Sequence, residues 1–206
     1  MPPHRLEAEG PFGEYTGFMG EEGFAPVFEL RCVTERRAAL YHDYGSCLPD
    51  ALVPDNMLIE AKLYQIARTI TPEVCNVYVP ISGRRFHAYL SVGEINTGTA
   101  RALLEATLAY RRVKLVVLVN DEVDIFDEQQ MLWAIATRTQ MDRDALILSD
   151  LPGSRLDPSL EPGQVNTAKM GIDARWKAAV RPQRNRVPAA VLEAMSKVSS
   201  QTNTIP

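Results

Sequence analysis

The chain has 206 residues, 46% of them hydrophobic, and a formal net charge of −4. This size and composition suit one globular domain with a buried core and room for an appendage. No apolar run approaches the roughly 20 residues that span a bilayer, and the N-terminus lacks the pattern of a secretory signal peptide. We therefore expect a cytoplasmic protein that does not insert in a membrane. The three cysteines lack zinc-site or disulfide spacing and are predicted to be buried apolar residues.

Two carboxylates bracket a tight apolar turn near the start of the chain, in the segment Glu9-Gly-Pro-Phe-Gly-Glu14. Pro11 fixes its own φ and the glycines permit unusual backbone angles, so the backbone sets where the carboxylates lie. If a cation holds one acid ionised while an apolar pocket raises the pKa of the other, the second can deliver a proton near neutral pH. A solvated acidic turn remains open as the alternative.

The first predicted elements are a strand and a helix separated by an irregular connection. Residues 25–33 have the composition of a strand. Residues 34–56 lose all periodicity and contain Pro49 and Pro54, which predicts a connection and a boundary between two architectural units. The apolar spacing from Met57 to Ile70 predicts a mostly buried helix.

Strands and helices then alternate along the chain. The pattern predicts strands over 74–79, 86–92, 113–119 and 145–148 and helices over 99–110 and 188–198. The first two strands form a hairpin, and Asp127 caps a further helix with Gln130 in a reciprocal role. This order predicts an α/β fold with a mixed, mainly parallel sheet and flanking helices. Between Pro152 and the last helix the chain is predicted to be loop-rich.

Several other motifs carry groups that could bind a ligand. The glycines of residues 93–99 have the spacing of a phosphate loop but lack its lysine, which excludes that site. The acidic residues 121–127 could bind a hard metal or could form a polar loop that caps a helix. The segment Lys169-Met-Gly-Ile-Asp173 is expected to be a loop that contacts a ligand or turns the chain. The lone histidines His42 and His87 are expected to be structural.

Basic residues gather between Lys169 and Lys197, near the end of the chain. A nucleic-acid site would interleave such residues with planar side chains, and only Trp176 qualifies. We therefore expect no nucleic-acid partner and a tail that is solvated or contacts another subunit.

Six separated motifs together resemble the carboxy-terminal half of the UbiD-type decarboxylases, the family of polyprenyl-hydroxybenzoate carboxy-lyases and ferulate-type decarboxylases. They occur in family order across nearly the whole chain. The motifs are Glu9-Gly-Pro-Phe-Gly-Glu14-Tyr-Thr-Gly17, Arg85-Phe-His-Ala88, Val119-Asn-Asp-Glu-Val-Asp-Ile-Phe-Asp127, Leu132-Trp-Ala-Ile-Ala-Thr-Arg138, Leu156-Asp-Pro158 and Lys169-Met-Gly-Ile-Asp173.

The resemblance implies a prenylated-FMN-dependent decarboxylase that acts on an aromatic or α,β-unsaturated carboxylic acid. It implies that Glu9 belongs to the family's Glu-Arg-Glu network and that Glu14 protonates the carbon that loses carbon dioxide. Leu58 and Ile59 are similar to family positions that line the substrate pocket. The implied cofactors are prenylated FMN and a divalent metal, Mn or Mg, with K as a further candidate.

The resemblance also implies parts that this sequence does not contain. Family enzymes are more than twice as long, and their amino-terminal half carries the arginine partner, the metal ligands and most flavin contacts. Two interpretations follow: a split enzyme whose amino-terminal UbiD-like chain is a separate partner, or a truncated relative that serves assembly without catalysis. By itself the chain is expected to be inactive, and in complex to form a homo- or hetero-oligomer.

The expected domain limits follow the same division. Residues 1–45 form a strand-and-turn segment that belongs to the cofactor-domain side. Residues 46–180 form the α/β carboxy-terminal domain, and residues 181–206 form a basic tail with a short helix.

Overall fold

The computed structural model describes residues 5–177, 181–183, 185 and 187–202. The chain divides into a large unit, residues 1–175, and a small unit, residues 176–206. The large unit begins with a hairpin and continues into an α/β layer, and it carries every candidate site residue named above.

The hairpin consists of strands β1 (Leu6–Glu9) and β2 (Gly23–Pro26), which pair antiparallel with Leu6 opposite Pro26 and Glu9 opposite Gly23. The predicted strand over residues 25–33 is therefore wrong, because only its first two residues are in a strand. A strand needs a hydrogen-bonded neighbour, and the last backbone bond of this pair joins the Val27 N–H to the Arg5 carbonyl. Beyond it, residues 28–46 are exposed and have no regular structure.

Helix α1 (Pro49–Ile70) starts eight residues before the predicted position and includes Pro54. Pro49 lies at the start of the helix, where the fixed φ of proline is favourable and its missing N–H costs nothing. The buried residues follow helical spacing and are Leu52, Asn56, Ile59, Leu63 and Ala67. Burial of this stripe outweighs the single hydrogen bond that Pro54 removes.

Five strands form the central sheet in the order β3-β4-β5-β7-β6. Their bounds are β3 (Val74–Tyr78), β4 (His87–Val92), β5 (Leu115–Asn120), β6 (Ala145–Pro152) and β7 (Asn166–Asp173). The pairs β4/β5 and β5/β7 are parallel, whereas the outer pairs β3/β4 and β6/β7 are antiparallel. Three of the five strands thus run in one direction, which confirms the mixed, mainly parallel sheet and the predicted hairpin at its edge.

Strand β7 corrects the prediction that residues 169–173 form a loop and that residues 145–148 close the parallel series. The parallel neighbour of β5 is β7, and β6 is an antiparallel edge strand. Sequence patterns missed β7 because a lysine lies in its buried centre. The Lys169 ammonium donates to the carbonyls of Leu108 and Tyr110, each at 2.9 Å, which satisfies the buried charge.

Helices α2 (Thr97–Leu108), α3 (Glu128–Arg138) and the short α4 (Met141–Asp144) complete the large unit. One buried cluster joins α1 and α2 to one face of the sheet, and a second joins α3 to the other face. Asp127 caps α3 as predicted, because its carboxylate accepts the N–H groups of Gln129 and Gln130. The reciprocal role of Gln130 is wrong: its side-chain amide donates to Asp127 instead of accepting from the Asp127 backbone.

The cysteines are not buried as predicted. Cys32 and Cys75 are exposed, and Cys47 is partly exposed. Cys32 lies in the irregular segment, and Cys75 lies on β3, which has a strand on one side only, so neither position is enclosed by the sheet.

The small unit contains helix α5 (Ala189–Thr202), which includes the predicted helix over residues 188–198 apart from its first residue. None of the helices in the described ranges is long and apolar enough to cross a membrane.

Candidate active site

The segment between β1 and β2 folds back on itself and carries Glu14. The Glu14 N–H donates to the Phe18 carbonyl at 2.9 Å, and the Gly17 N–H donates to the Glu14 carbonyl at 3.0 Å. Gly17 has a φ of 90°, a conformation that disfavours any side chain, so glycine is required for this turn. Farther out, the Gly20 N–H donates a hydrogen bond to the Phe12 carbonyl at 2.8 Å and closes the loop. The backbone on both sides of Glu14 is thereby held by hydrogen bonds.

The two glutamates occupy different environments in this hairpin. Glu9 is the last residue of β1 and is exposed. Glu14 is partly buried, and its carboxylate packs against Gly20, where an added Cβ would lie 3.2 Å from Oε1. Within the described ranges, neither carboxylate forms a hydrogen bond or an ion pair. The hairpin therefore carries one partly buried and one exposed acid, and backbone hydrogen bonds hold the loop around the partly buried one.

Tyr15 links this loop to the α/β layer of the same unit. Its hydroxyl and the Ser154 hydroxyl form a hydrogen bond of 2.7 Å, and its ring centroid lies 5.8 Å from that of Phe86. The Arg85 guanidinium lies over the ring, 4.6 Å from the centroid. Sequence reasoning did not identify these residues as partners, because they are distant in the chain. The available signal was that Tyr15, Arg85 and Phe86 lie in two of the family-like motifs and that Ser154 lies two residues before a third.

The two predicted pocket residues on α1 differ in exposure. Ile59 is buried in the core cluster that joins α1 to the sheet. Leu58 is 72% exposed, since consecutive helix residues point about 100° apart. Leu58 can therefore meet a ligand or another chain directly, whereas Ile59 supports the helix from beneath.

His87 lies at the start of β4, half-buried between charged neighbours. Burial lowers its pKa, and Lys114 lowers it further, against the opposing effect of Glu128. Nearby, burial and the Glu128 carboxylate raise the pKa of Tyr89 to about 12. Both shifts favour the neutral side chain near pH 7, and the structural role of His87 stays a prediction. His42 stacks on Tyr44 in the irregular segment, at 4.7 Å between ring centroids.

The acidic segment 121–127 forms a local polar network. Glu122 pairs with Arg138 at 2.9 Å, Asp124 accepts the Phe126 N–H at 3.0 Å, and Asp127 caps α3. In the part of the chain that the structure describes, no three His, Cys, Asp or Glu side chains are placed to hold a metal ion. The loop-and-cap interpretation of this segment is the one that the structure supports. We assign no described residue to a metal or a flavin and derive no step through either.

Two family profiles match the chain and cover most of its length. The 3-octaprenyl-4-hydroxybenzoate carboxy-lyase C-terminal domain matches residues 55–174. The Rift-related domain of the same carboxy-lyase matches residues 1–47.

Solved structures of this family share the fold. The UbiD-class enzyme HmfF from Pelotomaculum thermopropionicum, in complex with FMN, is 36% identical over 95% of this chain, with a TM-score of 0.86. An evolved dimeric form of HmfF, in complex with prFMN, is 34% identical over 92% of this chain and 41% of its own, with a TM-score of 0.79. The 3,4-dihydroxybenzoic acid decarboxylase AroY from Klebsiella pneumoniae is 25% identical over 68% of this chain and 32% of its own, with a TM-score of 0.57.

The chain spans 44% of the length of the FMN-bound HmfF. The match to that enzyme runs through both the hairpin and the α/β layer, as do the two family profiles taken together. The six sequence motifs, the order of the elements and these likenesses agree, and the chain belongs to the UbiD family of carboxy-lyases.

Proposed function

We propose that this chain is the carboxy-terminal component of a prenylated-FMN-dependent decarboxylase acting on an aromatic or α,β-unsaturated carboxylic acid, with Glu14 as its proton donor. The observation that carries the proposal is the position of Glu14. Its backbone is fixed on both sides by hydrogen bonds, and its carboxylate is sheltered against Gly20. Because the backbone at Glu14 is already fixed, only its side-chain torsions have to be ordered when the donor meets the reacting carbon.

Glu14 delivers a proton to the carbon from which carbon dioxide departs, and Glu9 binds an arginine of the family's Glu-Arg-Glu network. Prenylated FMN, when bound, supplies the electron sink for this reaction, and the protein supplies orientation and the proton. Leu58 lines the substrate pocket, and Ile59 keeps α1 in place beneath it. The amino-terminal half of the family fold supplies the arginine and binds the flavin and the divalent metal. The metal is Mn or Mg, with K as a further candidate ion.

The irregular segment after β2 supports the need for that other half. Leu40 and Tyr41 are 86% and 90% exposed, and Phe28, Leu30 and Val33 are also exposed. A group of large apolar side chains without a core to cover them is typical of a surface that packs against another element. The Rift-related profile ends at residue 47, directly after this segment of the chain. We propose that a separate amino-terminal UbiD-like chain packs here and forms the complete enzyme, a homo- or hetero-oligomer.

A non-catalytic assembly subunit is the second candidate, because the same exposed segment would serve docking without catalysis. The two candidates differ in their requirement for Glu14. An assembly subunit has no use for a sheltered carboxylate on a fixed loop.

The deciding experiment replaces Glu14 in the reconstituted two-chain enzyme. Glu14→Gln should abolish decarboxylation and the exchange of the substrate's vinyl or aryl proton with solvent deuterium. Glu22→Gln is the matched control, since Glu22 lies in the same hairpin but is exposed, and it should leave both rates unchanged. Wild-type rates in Glu14→Gln would reject the proton donor.

The partner is tested by purifying the chain from its native host. A co-purifying polypeptide together with flavin absorbance supports the split enzyme. A colourless, solitary species would favour the truncated relative that serves assembly without catalysis.

A further inference from the structure

Tyr15, the residue directly after Glu14, contacts two loops of the α/β layer. Its ring packs against Phe86 and Arg85 of one loop, and its hydroxyl forms the 2.7 Å hydrogen bond with Ser154 of the other. Thr16, the next residue, is also buried. Because Tyr15 and Glu14 are neighbours in the chain, these contacts of Tyr15 determine where the Glu14 backbone lies relative to the sheet.

Arg85 contacts a second element in addition to Tyr15. Its Nη2 forms a 2.6 Å ion pair with Asp55, on the N-terminal part of α1. Asp55 precedes Leu58 by three residues, so the two share a face of the helix. One guanidinium therefore touches both the loop that carries Glu14 and the helix that carries the exposed pocket residue Leu58.

The backbone at this point is held in an unusual conformation. Arg84 and Arg85 have φ values of 47° and 67°, in the left-handed region that non-glycine residues rarely adopt. Arg84 donates to the Cys47 carbonyl at 2.6 Å, which ties the same turn to the end of the irregular segment. Such a conformation persists only when the surrounding contacts hold it, and it clusters where a side chain must be aimed.

The burial of Arg85 is not explained by fold stability alone. Only 9% of its side chain is exposed, and its Nε has no hydrogen-bond partner among the described residues. An apolar side chain of similar size would avoid the free-energy cost of burying a charged group with an unpaired N–H. A planar guanidinium, in contrast, can stack on an aromatic ring and pair with a carboxylate at the same time.

We propose that Arg85 is a positioning residue that couples the Glu14 loop to the pocket helix α1, through Tyr15 on one side and Asp55 on the other. The coupling sets the distance between the proton donor and the substrate carbon when the substrate lies against α1. This inference rests on the proposed role of Glu14, but its structural part can be tested without any catalysis.

The test measures amide hydrogen exchange of the full chain by NMR at Glu14, Gly17 and Gly20, whose N–H groups form the hydrogen bonds of the loop. Arg85→Met should accelerate exchange at these amides about ten-fold relative to the amides of β4 and β5, as expected for loss of a stacking contact and a partly buried ion pair. Arg85→Lys keeps the charge and should restore part of the protection.

The chain offers a closely matched control in Arg138. Its side chain is 3% exposed, lies over the Trp133 ring at 4.9 Å from the centroid, and pairs with Glu122 at 2.9 Å. Both of these contacts are with residues of α3 and the loop that precedes it. Arg138→Met should therefore leave the exchange ratio at Glu14, Gly17 and Gly20 as it is in the wild type.

Two results would overturn the coupling. In one, Arg85→Met and Arg138→Met change the loop amides equally, so that Arg85 acts only as a buried side chain. In the other, Arg85→Met accelerates β4 and β5 as much as the loop, which indicates general destabilisation.

A kinetic arm extends the test to the reconstituted enzyme. Arg85→Met should lower kcat about ten-fold or more with KM within two-fold, and Arg85→Lys should recover part of kcat. If Glu14→Gln is fully active while the exchange result holds, the proposed donor fails and the coupling stands. If Glu14→Gln is inactive while Arg85→Met keeps wild-type kcat, the coupling fails and the donor stands.

Discussion

Lys169 offers a sharp test of how the buried centre of the sheet is organised. It lies on β7 and is 2% exposed, and burial lowers its pKa to about 8 from the ordinary 10.5. Protonation is thus less favourable in the folded chain than in the unfolded chain. Below pH 8 the lysine is charged in both states and the full cost of burying the charge is present. As the pH rises from 8 towards 10.5, the folded state loses its proton first, so stability rises.

The size of the effect follows from the two pKa values. Between pH 7 and 9.5, Lys169 should add about 2 kcal/mol to the free energy of unfolding. Lys169→Met removes this gain and leaves the Leu108 and Tyr110 carbonyls without their donor, which costs about 1–3 kcal/mol. At pH 7 that cost is offset because the buried charge is gone, so the variant should lie near the wild type. At pH 9.5 it should be clearly less stable.

The assay is equilibrium unfolding in urea at pH 7, 8.5 and 9.5, with the difference between wild type and variant as the readout. Groups common to both proteins cancel in this difference. Lys62→Met, at an exposed position of α1, is the control and should follow the wild-type profile at every pH. A constant difference between Lys169→Met and wild type across this range would refute the argument that burial of the charge sets the pH dependence.

The remaining predictions concern the cap of α3 and the two pocket residues. Asp127→Ala should lower the free energy of unfolding by about 1 kcal/mol, because the Gln129 and Gln130 N–H groups lose their acceptor; an unchanged urea midpoint would contradict the cap. Ile59→Ala should cost about 2–4 kcal/mol through the cavity that it leaves in the core. Leu58→Ala should change stability by less than about 0.5 kcal/mol yet raise KM in the reconstituted enzyme, and a large loss of stability there would contradict its exposure.

The sequence was sufficient where a pattern and a local contact coincide. The alternation of β3 and β4 and the apolar run of β5 predicted strands that the structure contains, because side-chain period and burial agree there. Asp127 was identifiable as a cap because a short acidic side chain preceded an apolar helical stripe. The Glu9 and Glu14 turn was visible because glycine and proline restrict its backbone in ways that do not depend on distant residues.

The errors arose where distant contacts overrode local signals. Pro54 predicted a connection, but the packing of α1 on the sheet carried the helix through it. Residues 25–33 had strand composition but no neighbouring strand past Val27. Strand β7 contained a lysine that local reasoning assigns to a loop, and only the two carbonyls near the end of α2 make that lysine acceptable in a buried strand.

Motifs and periodicity in the chain indicated the family, the α/β class and the two carboxylates that the family resemblance marks for chemistry. These depend on residue identities and on short-range backbone restrictions, which remain the same whatever the rest of the chain does. The fold was needed to show that Glu14 is partly buried and Glu9 exposed. It was also needed to show that Tyr15 contacts Arg85 and Ser154 and that Arg85 pairs with Asp55. Those relations join residues up to 139 positions apart, as between Tyr15 and Ser154, and they exist only once the sheet brings the loops together.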